Sequence, residues 1–347
     1  MPQTKPKYQI PLMKEVKNVK SNGLNVISTF SGCGGSSLGY KMAGFNVLAS
    51  VEFIETARDT YAANFPNTFI DPRDVRKIKG KELIRSAGLL EGELDVLDGS
   101  PPCSSFSNAG LRTAGWGEVK KYSETKQRTD DLFFEYIRLV EEMKPKVFVA
   151  ENVPGLVTGK SKGMFVIIMQ RLKRLGYNVR VKILDAQWLG VPQRRKRLIF
   201  LGVKDNLGVS IDFPTPNSYY YTVKDAIGNI NPDVEPETCI AKFAIGKEWD
   251  RMGKSGTQSE KYFSLIRPDW DKPCPVITAT TSNVGAAGVC HPSEKRKLSI
   301  AELKRICSFP NDFILKGKYH QRAERLGRAV PPLMMKSMAS QIREKLQ

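Results

Sequence analysis

Long apolar runs are missing from this 347-residue chain, and histidine is nearly so, with only His291 and His320. No stretch approaches the roughly 18 apolar residues of a membrane-spanning helix, so an integral membrane protein is not expected. The opening residues, Met1-Pro2-Gln3-Thr4-Lys5, lack the apolar core of a secretory signal. Six cysteines stand at 33, 103, 239, 274, 290 and 307, and none are spaced two to four residues apart as zinc ligands are. With histidine this scarce, no metal is expected. Without a signal, disulfides are not expected either, and the chain reads as cytoplasmic and reduced. Internal repeats and low-complexity tracts are also absent. Acidic residues are the last shortage: 36 Asp+Glu face 54 Lys+Arg, a formal net charge of +18 at pH 7. That excess points to a polyanionic partner, nucleic acid or an anionic membrane face, unless it only reflects a basic proteome.

What is present is the composition of a folded protein, 41% hydrophobic and 26% charged. The length exceeds what one core usually fills, so two domains, or one with a large insert, are expected. Residues 1–22 carry five lysines with little apolar periodicity and read as a flexible basic arm. From 23 to 203, short apolar runs alternate with helical spacing. Strands are predicted at 24–30, 46–51, 94–97, 146–150, 178–185 and 198–203, and helices at 36–43, 55–64, 131–143 and 165–175. This alternation predicts an α/β fold built on a doubly wound sheet. Residues 204–297 break the pattern, being rich in Pro, Gly, Thr, Ser and Asn, and read as a second, loop-rich β domain. Helical spacing resumes over 298–347.

Four segments carry chemistry. Phe30-Ser31-Gly32-Cys33-Gly34-Gly35 lies between a strand and a helix, where glycines admit close backbone approach by a ligand. Glu52, 20 residues beyond Gly32, is placed to accept ribose hydroxyls. Together they suit NAD, FAD or S-adenosylmethionine, although a tight turn without a ligand has the same pattern. Pro101-Pro102-Cys103 follows a strand and holds a thiol rigidly at the sheet edge, as a nucleophile or as a small buried hydrophobe. Glu151-Asn152-Val153 ends another strand and suits proton handling or a hydrogen bond to a ring, or else a cap. Gln193-Arg194-Arg195-Lys196-Arg197 leads into a strand, with alternation putting Arg195 and Arg197 on one face. That pair suits a phosphate or a thiolate, or merely a solvated basic edge.

Taken in order, these segments resemble the DNA cytosine-5 methyltransferases, over about 24–345. Ser299 to Pro310 and Gly327-Arg328-Ala329-Val330-Pro331-Pro332 resemble the family's later motifs. The resemblance implies a Rossmann-like S-adenosylmethionine-dependent methyltransferase fold, with 204–297 as target-recognition domain and a DNA cleft between the parts. It implies Cys103 as nucleophile toward carbon 6 of cytosine, Glu151 hydrogen-bonded to the ring, and Arg195 and Arg197 in support. The cofactor would meet Phe30, Gly32, Gly34, Gly35, Glu52, Phe53, Val75 and Pro101, with Asp74 taking the adenine amino group and Asp71 its rival. The loop from Ser104 to Thr129 would close over a flipped base, and Lys242, Lys254, Thr278 and Asn283 are candidate base readers.

The implied setting is a bacterial or phage protein, monomeric and nucleoid-associated. It would act on double-stranded DNA, with a cognate restriction endonuclease as possible companion and no membrane partner. A tRNA cytosine-5 methyltransferase on the same scaffold is the alternative acceptor reading. Two positions depart from the family. Ser104 replaces the usual Gln after the nucleophile, and Arg328 replaces the usual Asn beside the cofactor's methionine end. Arg328 is expected to turn to a DNA phosphate or an acidic neighbour. The alternative is that it pairs with carboxy-S-adenosylmethionine, making the chain a carboxymethyltransferase.

Overall fold

The computed structural model describes residues 4–102, 120–127, 129, 131–158, 161–281 and 287–347. Contacts divide the chain into two compact units. Unit 1 comprises Met1–Asn18, Asp185–Arg195 and Pro214–Ser337, and unit 2 comprises Val19–Leu184, Lys196–Phe213 and Met338–Gln347. In chain order the first elements are α1 (Met13–Lys17), β1 (Asn25–Thr29), α2 (Gly35–Met42), β2 (Asn46–Val51), α3 (Glu55–Asn64), β3 (Phe69–Asp71), α4 (Gly80–Ser86) and β4 (Val96–Gly99). There follow β5 (Lys120–Tyr122), β6 (Thr125–Gln127), α5 (Leu132–Met143), β7 (Val147–Asn152), α6 (Lys162–Arg174), β8 (Tyr177–Asp185) and β9 (Lys196–Lys204). The last are α7 (Val223–Ile227), α8 (Ala244–Arg251), β10 (Thr257–Gln258), β11 (Ile266–Arg267), α9 (Ile300–Ile306), α10 (Tyr319–Arg328) and α11 (Pro332–Leu346).

Unit 2 is built on a seven-stranded sheet in the order β3-β2-β1-β4-β7-β9-β8. The pairs β1/β2, β1/β4, β2/β3 and β4/β7 are parallel, and β7/β9 is antiparallel. Parallel strands covered on both faces need apolar residues on both. Every residue of β4 and β7 is accordingly buried. Helix α5 buries Leu132, Phe133, Tyr136, Ile137, Leu139, Val140 and Met143, one continuous apolar stripe. Phe133 meets Phe200 of β9 edge-on at 5.1 Å, and the Tyr136 hydroxyl lies 3.0 Å from the carbonyls of both Leu97 and Val149. This is the α/β arrangement expected from the sequence.

Two boundaries differ in an informative way. The run expected to start at Leu94 is regular strand only from Val96, although the Leu94 and Asp95 carbonyls already accept from the Lys146 and Val147 N–H groups (2.9 and 2.8 Å). The Asp95 side chain at its head accepts from the Asn25 N–H (2.8 Å) and the Lys146 ammonium (2.7 Å). The run expected to stop at Ala150 continues through Glu151 and Asn152, which pair with Ile199 and Leu198 of β9.

Unit 1 draws on several stretches of the sequence. Between 214 and 297 regular structure is limited, among the described residues, to α7, α8, a short 3-10 helix at Pro236–Thr238 and the two-stranded β10/β11 pair. Helix α7 starts at a Thr222–Asp225 capping box and α9 at a Ser299–Glu302 one. Residues 4–18 correct the expectation of a flexible arm. Tyr8, Met13 and Val16 are buried, the Tyr8 hydroxyl donates to the Arg305 carbonyl (2.7 Å), and the Met13 N–H donates to Asp312 (2.8 Å). Three apolar side chains among the lysines suffice to dock the segment. Among the described residues, no helix is long and apolar enough to cross a membrane.

Candidate active site

Among the parallel-paired strands of unit 2 the strand order reverses once. The chain runs outward from β1 to β3, then returns to β4 on the other flank of β1. Open α/β sheets bind ligands at such a reversal, outside the carboxyl ends of the strands. The segments 30–35 and 100–102 leave from those two ends.

After β1 the backbone turns sharply: Phe30 has φ +54°, Gly32 +55° and Gly34 +89°. A bulky non-glycine residue in the left-handed region is strained, and such strain clusters at ligand sites. Gly34 has a second constraint, since a Cβ there would lie 2.3 Å from the Phe65 ring. Glu52 follows β2 and is buried. One of its oxygens accepts from the Gly32 N–H and the other from the Ile54 N–H, each at 2.7 Å. The carboxylate is thus locked in place by backbone donors before any ligand arrives. Phe53 next to it is 41% exposed, a bare ring at a polar edge.

Asp71 and Asp74 are both engaged by arginines. Arg73 grips the buried Asp71 through Nε and a terminal nitrogen (2.7 Å), whereas Asp74, one quarter exposed, pairs with Arg76 (3.0 Å) and caps the turn that begins at the buried Val75. Asp74 is therefore the more accessible of the two.

Asp98 is a site residue that sequence reasoning missed. It lies in β4 opposite Ser28 of β1 and is buried, and its Oδ2 accepts from the Ser28 hydroxyl (2.9 Å) and the Ser36 hydroxyl (2.7 Å). Ser36 belongs to the first turn of α2, straight after the glycine loop. Asp98 thus ties the strand leading to residue 103 to the helix that follows the glycine loop. Burial pushes its carboxyl up to about 7, the two serine donors pull it back, and the charge of Glu151 adds to the rise. The available signal was a lone carboxylate inside an otherwise apolar strand.

Glu151 and Arg197 meet at the end of β7. The Arg197 Nε lies 2.5 Å from Glu151 Oε1, and Asn152 beside it donates to the Pro101 carbonyl (3.2 Å). That amide bond joins the Glu-Asn-Val segment to the proline-held loop.

Arg195, by contrast, serves unit 1. It is 1% exposed, and its guanidinium donates to the carbonyls of Ile277 (2.9 Å), Gly327 (3.0 Å) and Ala329 (2.9 Å). Gln193, fully buried, accepts from the Ile277 N–H (3.1 Å) and donates to the Cys307 sulfur (3.3 Å). Gly327 has no room for a side chain, because a Cβ would lie 2.3 Å from the Thr278 carbonyl oxygen. Arg328 pairs with Glu324 one turn earlier on α10, at 2.7 Å.

Cys103, most of the 104–129 loop and Asn283 lie outside the described residues. Burial pushes the thiols of Cys274, Cys290 and Cys307 up, the last to about 11, so these three stay protonated and inert. No group of three or more metal-ligating side chains occurs among the described residues.

One sheet edge thus gathers a locked carboxylate beside an open glycine turn, a proline-held loop and a Glu–Arg pair. That layout suits an α/β group-transfer enzyme. A family model for C-5 cytosine-specific DNA methylases matches residues 24–344, and the chain belongs to that family. It is 33% identical over 343 residues to the type II methyltransferase M1.HphI of Haemophilus parahaemolyticus, covering 92% of this chain and 86% of that protein. It is 29% identical to the type II methyltransferase M.Sau96I of Staphylococcus aureus, over 93% of this chain and 77% of that protein. In fold it is similar to a candidate DNA modification methyltransferase encoded within an Escherichia coli prophage, with a TM-score of 0.73 and 23% identity over 93% of this chain and 99% of that one.

Proposed function

We propose that this protein transfers a methyl group from S-adenosylmethionine to carbon 5 of a cytosine flipped out of a specific duplex DNA sequence, with Cys103 as covalent nucleophile. The observation that carries the reading is the Glu151–Arg197 pair, linked through Asn152 to Pro101, two residues before Cys103.

The cofactor, when bound, supplies the electrophilic methyl group. The residues after β1 and β2 fit its nucleoside. The backbone N–H groups of Gly32 and Ile54 hold Glu52 ready to accept the ribose hydroxyls. Phe53 offers an exposed ring to an adenine, and Phe30, partly buried against the core, is the ring it would stack near. Space at Gly32 is open, with nothing within 4 Å of where a side chain would start. Asp74, with Val75, is placed to meet the adenine amino group. Pro101 stiffens the approach to the nucleophile.

Carbon 5 of cytosine is a weak nucleophile. A bond from the Cys103 thiolate to carbon 6 makes the ring enamine-like and raises the electron density at carbon 5. Glu151 hydrogen-bonds the ring edge and stabilises the charge that develops during attack, while Arg197 holds Glu151 in position. After methyl transfer, carbon 5 loses its proton, the Cys103–carbon 6 bond breaks and the thiolate is regenerated. Arg195 acts as a positioning residue, fixing the backbone at 277 and 327–329. The target carbon is out of reach inside a stacked duplex, so the base must leave the stack.

Relatives named type II methyltransferases support a further reading, that the chain is the modification partner of a cognate restriction endonuclease. The sizeable loop-rich stretch within 204–297 favours duplex DNA over tRNA, because it supplies surface to read base edges. Arg328 bears on which group is transferred. Its Nε is already met by Glu324, so its charge has a partner on its own helix, which favours methyl over carboxymethyl.

DNA carrying 5-fluorocytosine at the target should trap a covalent complex that Cys103→Ser abolishes. A target duplex that is methylated but never trapped would overturn the covalent route. Sequencing modified cytosines in exposed DNA, beside a tRNA acceptor, identifies the substrate. Competing S-adenosylmethionine against its carboxylated analogue and weighing the product base should give methylcytosine.

A further inference from the structure

Phe263 is the most exposed large apolar side chain among the described residues. It is 86% exposed, against 72% for Leu90 and at most 46% for the rest. Single exposed apolar residues are ordinary on protein surfaces. This one is distinguished by how firmly its backbone is held.

Phe263 lies in the connection between β10 and β11. Ser259, at the base, donates its hydroxyl to Glu248 (2.7 Å) and accepts from the N–H groups of Lys261 (3.1 Å) and Tyr262 (2.9 Å). The Ser259 N–H donates to the Leu265 carbonyl (2.9 Å), and the Leu265 N–H to the Tyr262 carbonyl (2.7 Å). The Gln258 side-chain amide donates to the carbonyl of Phe263 itself. Leu265 is fully buried with Ile240, Ile245 and Cys290, and Tyr262 packs against the same cluster. The neighbours on both sides are therefore anchored inward while the loop between them turns one ring to solvent. Lys261 on the same hairpin, its ammonium over the Tyr262 ring, and Lys254, three residues before the hairpin, are both exposed, and neither forms an ion pair among the described residues.

We propose that Phe263 is an apolar wedge that enters the base stack of bound duplex DNA. The inference rests on the DNA-methyltransferase reading above. Extruding a cytosine requires the stack to open, and rigid apolar side chains inserted between base steps do this in other DNA-binding proteins. With the backbone beneath the ring already braced, little backbone freedom remains to be lost on insertion. The flanking lysines suit the phosphates on either side.

The test compares wild type, Phe263→Ala and Phe263→Trp on the target duplex, on a non-target duplex, and on a target duplex with 2-aminopurine beside the flipped cytosine. All three proteins should melt alike, because the ring is almost wholly in solvent. Phe263→Ala should weaken target binding about 5- to 150-fold, the range for one lost base–aromatic stack, and leave non-target binding unchanged. The 2-aminopurine signal should rise with wild type and the Trp variant and stay low with Ala. Unchanged target affinity and signal in Phe263→Ala would overturn the proposal. Equal losses on target and non-target DNA, or a changed oligomeric state, would also overturn it. Wild type that methylates no DNA would instead defeat the underlying functional reading, and the wild-type control separates the two failures.

Discussion

The Nε of Arg197 lies 2.5 Å from Oε1 of Glu151, and both side chains are almost enclosed, 14% and 10% exposed. The contact follows from strand register. Glu151 is opposite Ile199 on the antiparallel β9, so Arg197, two residues along, projects from the same face at the diagonal position. A long guanidinium spans that diagonal easily.

Arg197→Ala should therefore leave an enclosed carboxylate without its cation. A fully buried pair loses about 3–5 kcal/mol when one partner is removed, and this slightly wet one should lose less. Single-turnover methyl transfer should fall by a factor on the order of 10², with Arg197→Lys recovering part of it. A rate within about threefold of wild type would remove Arg197 from the chemistry.

Asp98 predicts a pH dependence of stability. Its carboxyl is raised by burial from the ordinary 3.8 to about 7, so the folded state binds more protons than the unfolded one between those values. Stability from this group is then greatest below pH 4, falls as pH rises to 7, and is constant above. Asp98→Asn keeps an oxygen for Ser28 and Ser36 but carries no charge. Relative to wild type it should melt higher at pH 8 than at pH 5, a differential of at most about 3 kcal/mol. Equal melting differences at the two pH values would refute a titrating Asp98.

At Gly327 the α10 backbone runs against Thr278, so closely that a Cβ at this position would sit 2.3 Å from the Thr278 carbonyl oxygen. Gly327→Ala must push these segments apart and should cost about 1–3 kcal/mol. It also displaces a carbonyl that Arg195 binds. Denaturant titration should show the loss, and an unchanged midpoint would mean that the backbone yields freely.

The N-terminal segment offers a simple check on its docking. Tyr8→Phe removes only the hydroxyl that donates to the Arg305 carbonyl and should lower stability by about 1 kcal/mol. Protection of the 8–16 amides from hydrogen exchange should persist in the variant. Rapid exchange there in wild type would restore the picture of a loose basic arm.

Much of the fold was legible because parallel strands buried on both faces read as unbroken apolar runs, as Val147–Ala150 does. The turn at Gly32–Gly34 was legible because positive φ demands glycine. Phe30 was not, since nothing in an isolated Phe announces a left-handed backbone. The arm was misread because five lysines outweighed Tyr8, Met13 and Val16, too few to show a period. Asp98 was passed over because a lone acid in a strand has no spacing partner; its two serines lie 70 and 62 residues away.

The sequence by itself determined the order and spacing of the glycine turn, the Pro-Pro-Cys loop, the Glu-Asn-Val end and the arginine run, and so the family. The tertiary structure alone decided which of these groups touch. It gave Arg197 to Glu151, set Arg195 to hold the backbone at 277 and 327–329, and joined Asp98 to the helix after the glycine turn. Spacing along a chain constrains only neighbours, whereas these contacts depend on the register between strands and on how tightly distant backbones approach, which packing of the whole unit sets.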